Sequence, residues 1–222
     1  MPPAQVIQLR QVLLEKFPGL RLRLEERPAG GRAGGSPQLE ELLHNADARG
    51  ALTEIVAAEK SAGSATLLRA VIHWAASRHQ IAGLIDGSDC FDVTRVAESD
   101  LAQVLWVRCP DADKALRAAD LLLRDGNLPL VILDLKFNPE AQLRKISATT
   151  WYRFQRLVET TSALCLVFTP RAMVAPARTR FILHSHFTLA DLERDADELL
   201  RELKMDAARS HQLHAAAEQK IA

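Results

Sequence analysis

The sequence predicts an α/β fold built on a mostly parallel central sheet flanked by helices, and three observations carry that expectation. From Gly50 onward, short apolar runs alternate with helical stretches, the pattern of strands joined by helical crossovers. Two of the runs, 129–134 (PLVILD) and 163–169 (ALCLVFT), are almost continuously apolar, as strands covered on both faces are. The predicted strand ends carry Ala57-Ala58-Glu59, Asp86, Arg108 and Asp134, and in such sheets ligands sit beyond the carboxyl ends of the strands.

Taken in order, residues 4–16 place Val6, Leu9, Val12, Leu13 and Phe17 at helical spacing, and Pro18-Gly19 ends the run. Residues 26–37 (ERPAGGRAGGSP) hold four glycines and two prolines, the composition of a flexible linker. A second helix is predicted over 37–46, with Ser36 as N-cap and Pro37 at its first position. Strands follow at 52–57, 81–86, 103–107, 129–134, 163–169 and 180–184, with helices at 65–78, 92–99, 112–124 and 148–161. The tail, 188–222, opens like a helix, with Thr188 as cap and Asp191 three positions on. Leu189, Leu192, Leu199, Leu200, Leu203 and Met205 give it an apolar stripe, so a long C-terminal helix is expected there. The organisation read from these signals is an N-terminal helix and linker (1–35), a core (36–187) and a helical tail (188–222).

A chain of 222 residues, 48% of them apolar, can bury a substantial core. Basic and acidic residues number 28 each, so no global charge draws the protein to nucleic acid or to an anionic membrane, although a local basic patch is still permitted. No apolar run approaches the roughly 20 residues that span a bilayer. The opening MPPAQVIQLRQ lacks the charged and apolar regions of a signal peptide. Cys90, Cys109 and Cys165 form no CxxC pair and read as reduced thiols, so a cytoplasmic protein is expected.

The stretch ALTEIVAAEKSAGSATL (51–67) has the layout of a phosphate-cradling loop: a strand, a small-residue turn, then a helix. In the pattern G-x-x-x-x-G-K-[ST], glycines let backbone N–H groups face phosphate, the lysine neutralises its charge and the hydroxyl holds Mg²⁺. Here the first glycine is replaced around Ala57-Ala58, the second survives as Gly63, and Ser64 stands where the lysine belongs. Ala65 takes the hydroxyl position, with Thr66 one residue later, and Lys60 lies on the other side of the turn. Without the lysine the loop loses its contact to the most charged part of a nucleotide, while a helix N-terminus alone still attracts an anion weakly. Asp134, closing PLVILD, has the position of a Mg²⁺-supporting carboxylate. The candidate nucleotide site is therefore a degenerate one formed by Glu59, Gly63, Ser64, Ala65, Thr66 and Asp134, with no resident cofactor expected.

These stretches, taken together and in order, resemble the RecA/Rad51 ATPase core. GALTEIVAAEKSAGSATLLRAVIHWA stands in the place of its strand, phosphate loop and first helix, AGLIDGSDCFDV resembles the next strand, and PDADKALRAADLLLRDGNLPLVILD resembles the segment leading to the Walker B strand. TTWYRFQRLVETTSALCLVFTP matches the helix and strand that follow, so the resemblance spans residues 50–185. It implies a RecA-like P-loop NTPase fold. Only RAMVAPAR separates VFTP from TRFILH, too short for the DNA-binding loop of a recombinase. A shortened, degenerate core of this kind is similar to the bacterial ImuA-type proteins, RecA-like accessory factors of SOS mutagenesis often grouped with SulA-like division inhibitors. The segment LDLKFNPEAQLRKISATTWYRFQRLVETTSALCLVFTPR carries that likeness.

Arg144, Lys145, Arg153 and Arg156 cluster with Trp151 and Tyr152, a mix that binds single-stranded nucleic acid or forms an ordinary solvated face with Trp151 packed inward. Arg171, Arg178 and Arg180 flank the RAMVAPAR loop, read as a turn, a docking loop or a residual DNA contact. His184 and His186 alternate on a strand but lack further ligands at convincing spacing, and no metal is expected. His73 and His79 are off the spacing of a helical ligand pair, and Cys90 and Cys165 read as small hydrophobes. In the tail, Leu199 and Leu203 belong to a stripe that packs on the sheet or docks a partner protein.

Three functions follow as expectations. The first, implied by the ImuA resemblance, is a non-catalytic accessory role in SOS-induced translesion DNA synthesis, through contact with a polymerase-like partner, a RecA-like protein or both. DNA contact is at most weak, and Arg153, Arg156, Arg171, Leu199 and Leu203 are the candidate interaction residues. The second is an ATPase with an unconventional loop, with Lys60 or a partner's residue supplying the missing charge, Glu59 orienting water and Asp134 at Mg²⁺. The third is a SulA-like inhibitor of cell division.

Overall fold

The computed structural model describes residues 50–209, together with Gln11, Val12, Glu15, Leu39, Leu42 and Leu43. Among the described residues, seven strands form one sheet: β1 (Leu52–Val56), β2 (Ala82–Asp86), β3 (Val104–Arg108), β4 (Leu130–Asp134), β5 (Leu164–Thr169), β6 (Thr179–Leu183) and β7 (Met205–Arg209). Their spatial order is β3-β2-β4-β5-β1-β6-β7. All neighbours pair in parallel except β6 and β7, which are antiparallel. Among residues 50–209 the helices are α1 (Ser64–Ala76), α2 (Glu98–Leu101), α3 (Ala112–Asp125), α4 (Glu140–Leu143), α5 (Ala148–Thr161) and α6 (Ala196–Arg201).

Strand side chains alternate between two buried layers. Leu130, Ile132, Leu164, Leu166 and Phe168 enter one core with α1 residues Leu67, Leu68 and Val71. Val131, Leu133, Cys165 and Val167 enter the other with Trp151, Phe154 and Val158 of α5 and Ala115, Ala119 and Leu122 of α3. Both faces of β4 and β5 are covered, which explains why those segments read as unbroken apolar runs. Leu39, Leu42 and Leu43 are helical and buried in the first core, within the helix predicted over 37–46. The linker and most of the helix predicted over 4–16 lie outside the described residues, as does everything after Arg209; Gln11, Val12 and Glu15 are helical and exposed.

Two expectations are corrected. The helix over 92–99 is instead a 3-10 turn at Val93–Arg95, capped by Asp92, followed by the single turn of α2. The long helix expected from 188 is not formed within the described residues. The segment makes a 3-10 turn (Leu189–Glu193), then α6, then β7. Thr188 and Asp191 do form the expected capping box, but Arg194 adopts an extended backbone and Asp195 caps a new helix. Met205–Arg209 (MDAAR) then supplies the hydrogen-bonding partner that β6 would otherwise lack at the sheet edge. That tertiary demand overrides the helical preference of its alanines.

Candidate functional site at the carboxyl edge of the sheet

The carboxyl ends of β1, β5, β4 and β2 lie side by side, and their loops form the candidate site. Register places Asp86 opposite Asp134, and Val56 opposite Thr169. The loop leaving β1 is anchored where Ala57 N–H donates to Thr169 O at 2.9 Å. Its interior is filled by Lys136, two residues past Asp134. The Lys136 ammonium donates to the main-chain carbonyls of both Ala57 and Glu59. The residue is 5% exposed. A phosphate cradle presents N–H groups to its ligand; at positions 57 and 59 this loop presents carbonyl oxygens to a cation instead.

Gly63 has φ +91, the left-handed conformation that favours glycine, and forms the N-cap of α1. A Cβ there would meet Leu203 Cδ1 at 2.4 Å and Phe187 Cε2 at 2.9 Å. The chain after β6 therefore packs directly onto the turn. Phe187 N–H donates to Ser61 O at 3.0 Å, and His186 Nδ1 lies 3.0 Å from Glu59 Oε2. Turn geometry and packing alone account for the surviving glycine. Ser64 is buried at the start of α1, Thr66 is half-buried, and Ala65 and Lys60 are exposed.

The two aspartates are held differently. Asp86 is buried and accepts backbone N–H bonds from Ser88 (3.3 Å), Cys90 (3.1 Å) and Phe91 (2.8 Å), so its carboxylate organises the loop after β2. Asp134 is half-buried and accepts Lys136 N–H at 3.0 Å. Burial chiefly, with Asp86 nearby, raises its pKa to about 6, against the lowering effect of the Lys136 N–H and ammonium. Burial depresses the Lys136 pKa, and the charges of Asp134 and Glu59 oppose that shift. Desolvation raises the Cys90 thiol to about 11, which keeps it un-ionised and poorly nucleophilic. Asn138 ties the loops after β4 and β2 together, its Nδ2 donating to Gly87 O at 2.6 Å. Among the described residues, no three His, Cys, Asp or Glu side chains gather as a metal site would require.

Glu54, fully buried in β1, was legible only as part of a strand. Its Oε1 accepts Thr169 Oγ1 (3.0 Å), Met173 N–H (2.7 Å) and Val174 N–H (3.1 Å), while Oε2 accepts Arg180 Nε at 2.6 Å. The RAMVAPAR loop is thus pinned to the sheet, and Arg180 is committed to a buried ion pair.

The predicted interaction residues are scattered. Leu199 and Leu203 are buried, so they belong to the core and form no docking stripe. Arg153 Nε lies 2.9 Å from Asp120 Oδ1, whose other oxygen meets Arg124 Nε at 2.9 Å, so this arginine joins α5 to α3. Arg156 is exposed on α5. Arg171, at the end of β5, pairs with Glu140 at 2.9 Å. Trp151 is buried edge-on against Phe154, leaving Tyr152 as the exposed aromatic of that helix. His184 pairs with Asp206 at 3.2 Å.

Lys136 and Phe187 are the residues that sequence reasoning passed over. Lys136 did leave a signal, as a lone charge between Leu135 and Phe137 directly after an apolar strand. No protein-family model matches the chain, and no curated protein matches it closely enough to count as a relative. What stands is an α/β protein whose seven-stranded, mostly parallel sheet is flanked by helices, with a self-filled loop at its carboxyl edge. No helix among the described residues is long and apolar enough to cross a membrane.

Proposed function

We propose that this protein is a non-catalytic, RecA-like accessory factor of the ImuA type, acting in SOS-induced translesion DNA synthesis by gripping a polymerase-like protein, a RecA-like protein or both. The observation that carries the reading is the Lys136 ammonium seated inside the loop where a RecA-like ATPase would hold phosphate. With carbonyls turned inward and Phe187 and Leu203 packed on Gly63, the scaffold is kept while its nucleotide cradle is occupied by the chain itself. The order of the motifs along the sheet supports the RecA-like part of the reading; the partner comes from the resemblance. Co-purification of the tagged full chain from DNA-damaged bacteria, alongside titration with a fluorescent ATP analogue, tests it. Capture of a polymerase-like or RecA-like protein without nucleotide binding is expected. Failure to capture either one overturns the proposal.

A second reading draws on the same ammonium. Lys136 brings to the loop the positive charge that Ser64 does not supply, and Asp134 stands beside it. Mg²⁺-dependent phosphate release, abolished by Asp134→Ala, would select an ATPase with an unconventional loop.

A further inference from the structure

We propose that residues 57–60 form a binding site for a primary ammonium group, filled in cis by Lys136, which fixes the loop in one conformation without any diffusible ligand. The inference deepens the accessory-factor reading, since it makes the loop a constitutive part of the scaffold instead of a nucleotide-responsive element.

Polarity selects the ligand class. The carbonyls of Ala57 and Glu59 converge on one point, and an ammonium has three donors and no acceptor to offer them. A phosphate oxygen brought to the same point would meet two carbonyl dipoles of the wrong sign. Burial works against the charged form of the ammonium, and the Asp134 and Glu59 carboxylates oppose that effect, so the site's nearby charges suit a cation and not an anion. Shape narrows the class further. The lysine stem is buried with the head, and Phe137 lies alongside with its ring centroid 5.8 Å from Nζ, so the site accommodates an alkyl chain behind a primary ammonium. The other nearby lysine, Lys60, is exposed at the tip of the turn.

The loop reaches beyond itself. Thr169 holds its start, and Phe187 and His186 hold its far side, so the ammonium joins the ends of β1 and β4 and supports the turn on which the chain after β6 rests. Two carbonyls that would otherwise need a ligand or water are satisfied from within.

Chemical rescue of Lys136→Gly in the full-length protein tests this. The variant should melt about 5 °C below the wild type. n-Butylammonium chloride should recover at least half of that loss, whereas tetramethylammonium chloride at equal ionic strength, having no N–H, should not. Equal effects of the two salts, an unchanged melting temperature, or stabilisation by sodium triphosphate exceeding that by n-butylammonium would each overturn the proposal. If Lys136→Gly does not fold, Lys136→Met keeps a stem and removes the charge. Its amides at 58–63 should then exchange with solvent at least tenfold faster than in the wild type while those of β4 and β5 hold, and unchanged exchange at 58–63 counts against the site. Partner capture is not measured here, so failure of the accessory-factor reading and failure of the ammonium site are told apart.

Discussion

Glu54 and Arg180, 126 positions apart in sequence, meet as a buried ion pair with Nε 2.6 Å from Oε2. The carboxylate is wholly out of solvent, and its other oxygen accepts Thr169 Oγ1 at the end of β5 and two N–H groups from the loop after it. Removing one partner of such a pair leaves an uncompensated charge, at a cost of about 3–5 kcal/mol. Arg180→Met should therefore lower unfolding free energy by that amount in urea titration. Replacing both partners, with Glu54→Leu added, should not restore stability, because the N–H groups of Met173 and Val174 lose their acceptor. Near-wild-type stability of the double variant would show that the pair, and not the loop anchor, is what matters.

Gly63 offers a second test, one that separates packing from ligand binding. Alanine at φ +91 is strained, and its methyl would press on Leu203 and Phe187. Gly63→Ala should cost about 2–3 kcal/mol by the same titration. Adding Leu203→Ala removes the nearer obstacle, so the double variant should be more stable than the sum of the two single losses predicts, by about 1 kcal/mol. Strict additivity would mean that the turn and the segment after β6 do not bear on each other.

The contrast among these residues shows what was legible in the sequence. Six strands and three of the long helices were readable within two residues, because each buries side chains at its own local period and both faces of β4 and β5 are covered. The acids at the strand ends were legible for the same reason, since Asp86 and Asp134 follow their apolar runs directly. What remained hidden depends on partners distant in sequence. MDAAR becomes β7 only because β6 needs an edge partner. Leu203 reads as part of a helical stripe until it is seen packed on a glycine 140 positions earlier. Lys136 belongs to β4's loop by sequence and to β1's loop by contact.

Arg153 should behave unlike Arg180. Its side chain is 52% exposed, and Asp120, which it meets at 2.9 Å, keeps a second partner in Arg124. Arg153→Ala is expected to change stability by no more than about 1 kcal/mol. If the arginine also contacts DNA, the same variant should weaken binding of a labelled single-stranded oligonucleotide and flatten its salt dependence. A stability loss several times larger would place the pair among the structural ones.

Asp134 gives the protein a pH dependence with a definite sign. Its folded pKa, about 6, lies above the ordinary value of 3.8 because burial disfavours the charged form. Between about pH 4 and pH 6 the folded chain therefore keeps a proton on Asp134 that the unfolded chain has released. The stability linked to this group is fully present below that window and is lost as pH rises through it. By pH 7.5 the loss should approach ~3 kcal/mol, the whole effect of a shift from 3.8 to about 6. Several surface carboxylates, Asp191 among them at about 2, titrate in the opposite sense at lower pH, so the measurement compares the wild type with Asp134→Asn instead of reading one curve. The amide keeps an oxygen for the Lys136 N–H and carries no charge at any pH. Unfolding titrations should find the two proteins equally stable near pH 4 and the variant more stable by about 2–3 kcal/mol at pH 7.5. A variant less stable at pH 7.5 would mean that the Asp134 charge, through its attraction for the Lys136 ammonium, contributes more to the fold than its burial costs.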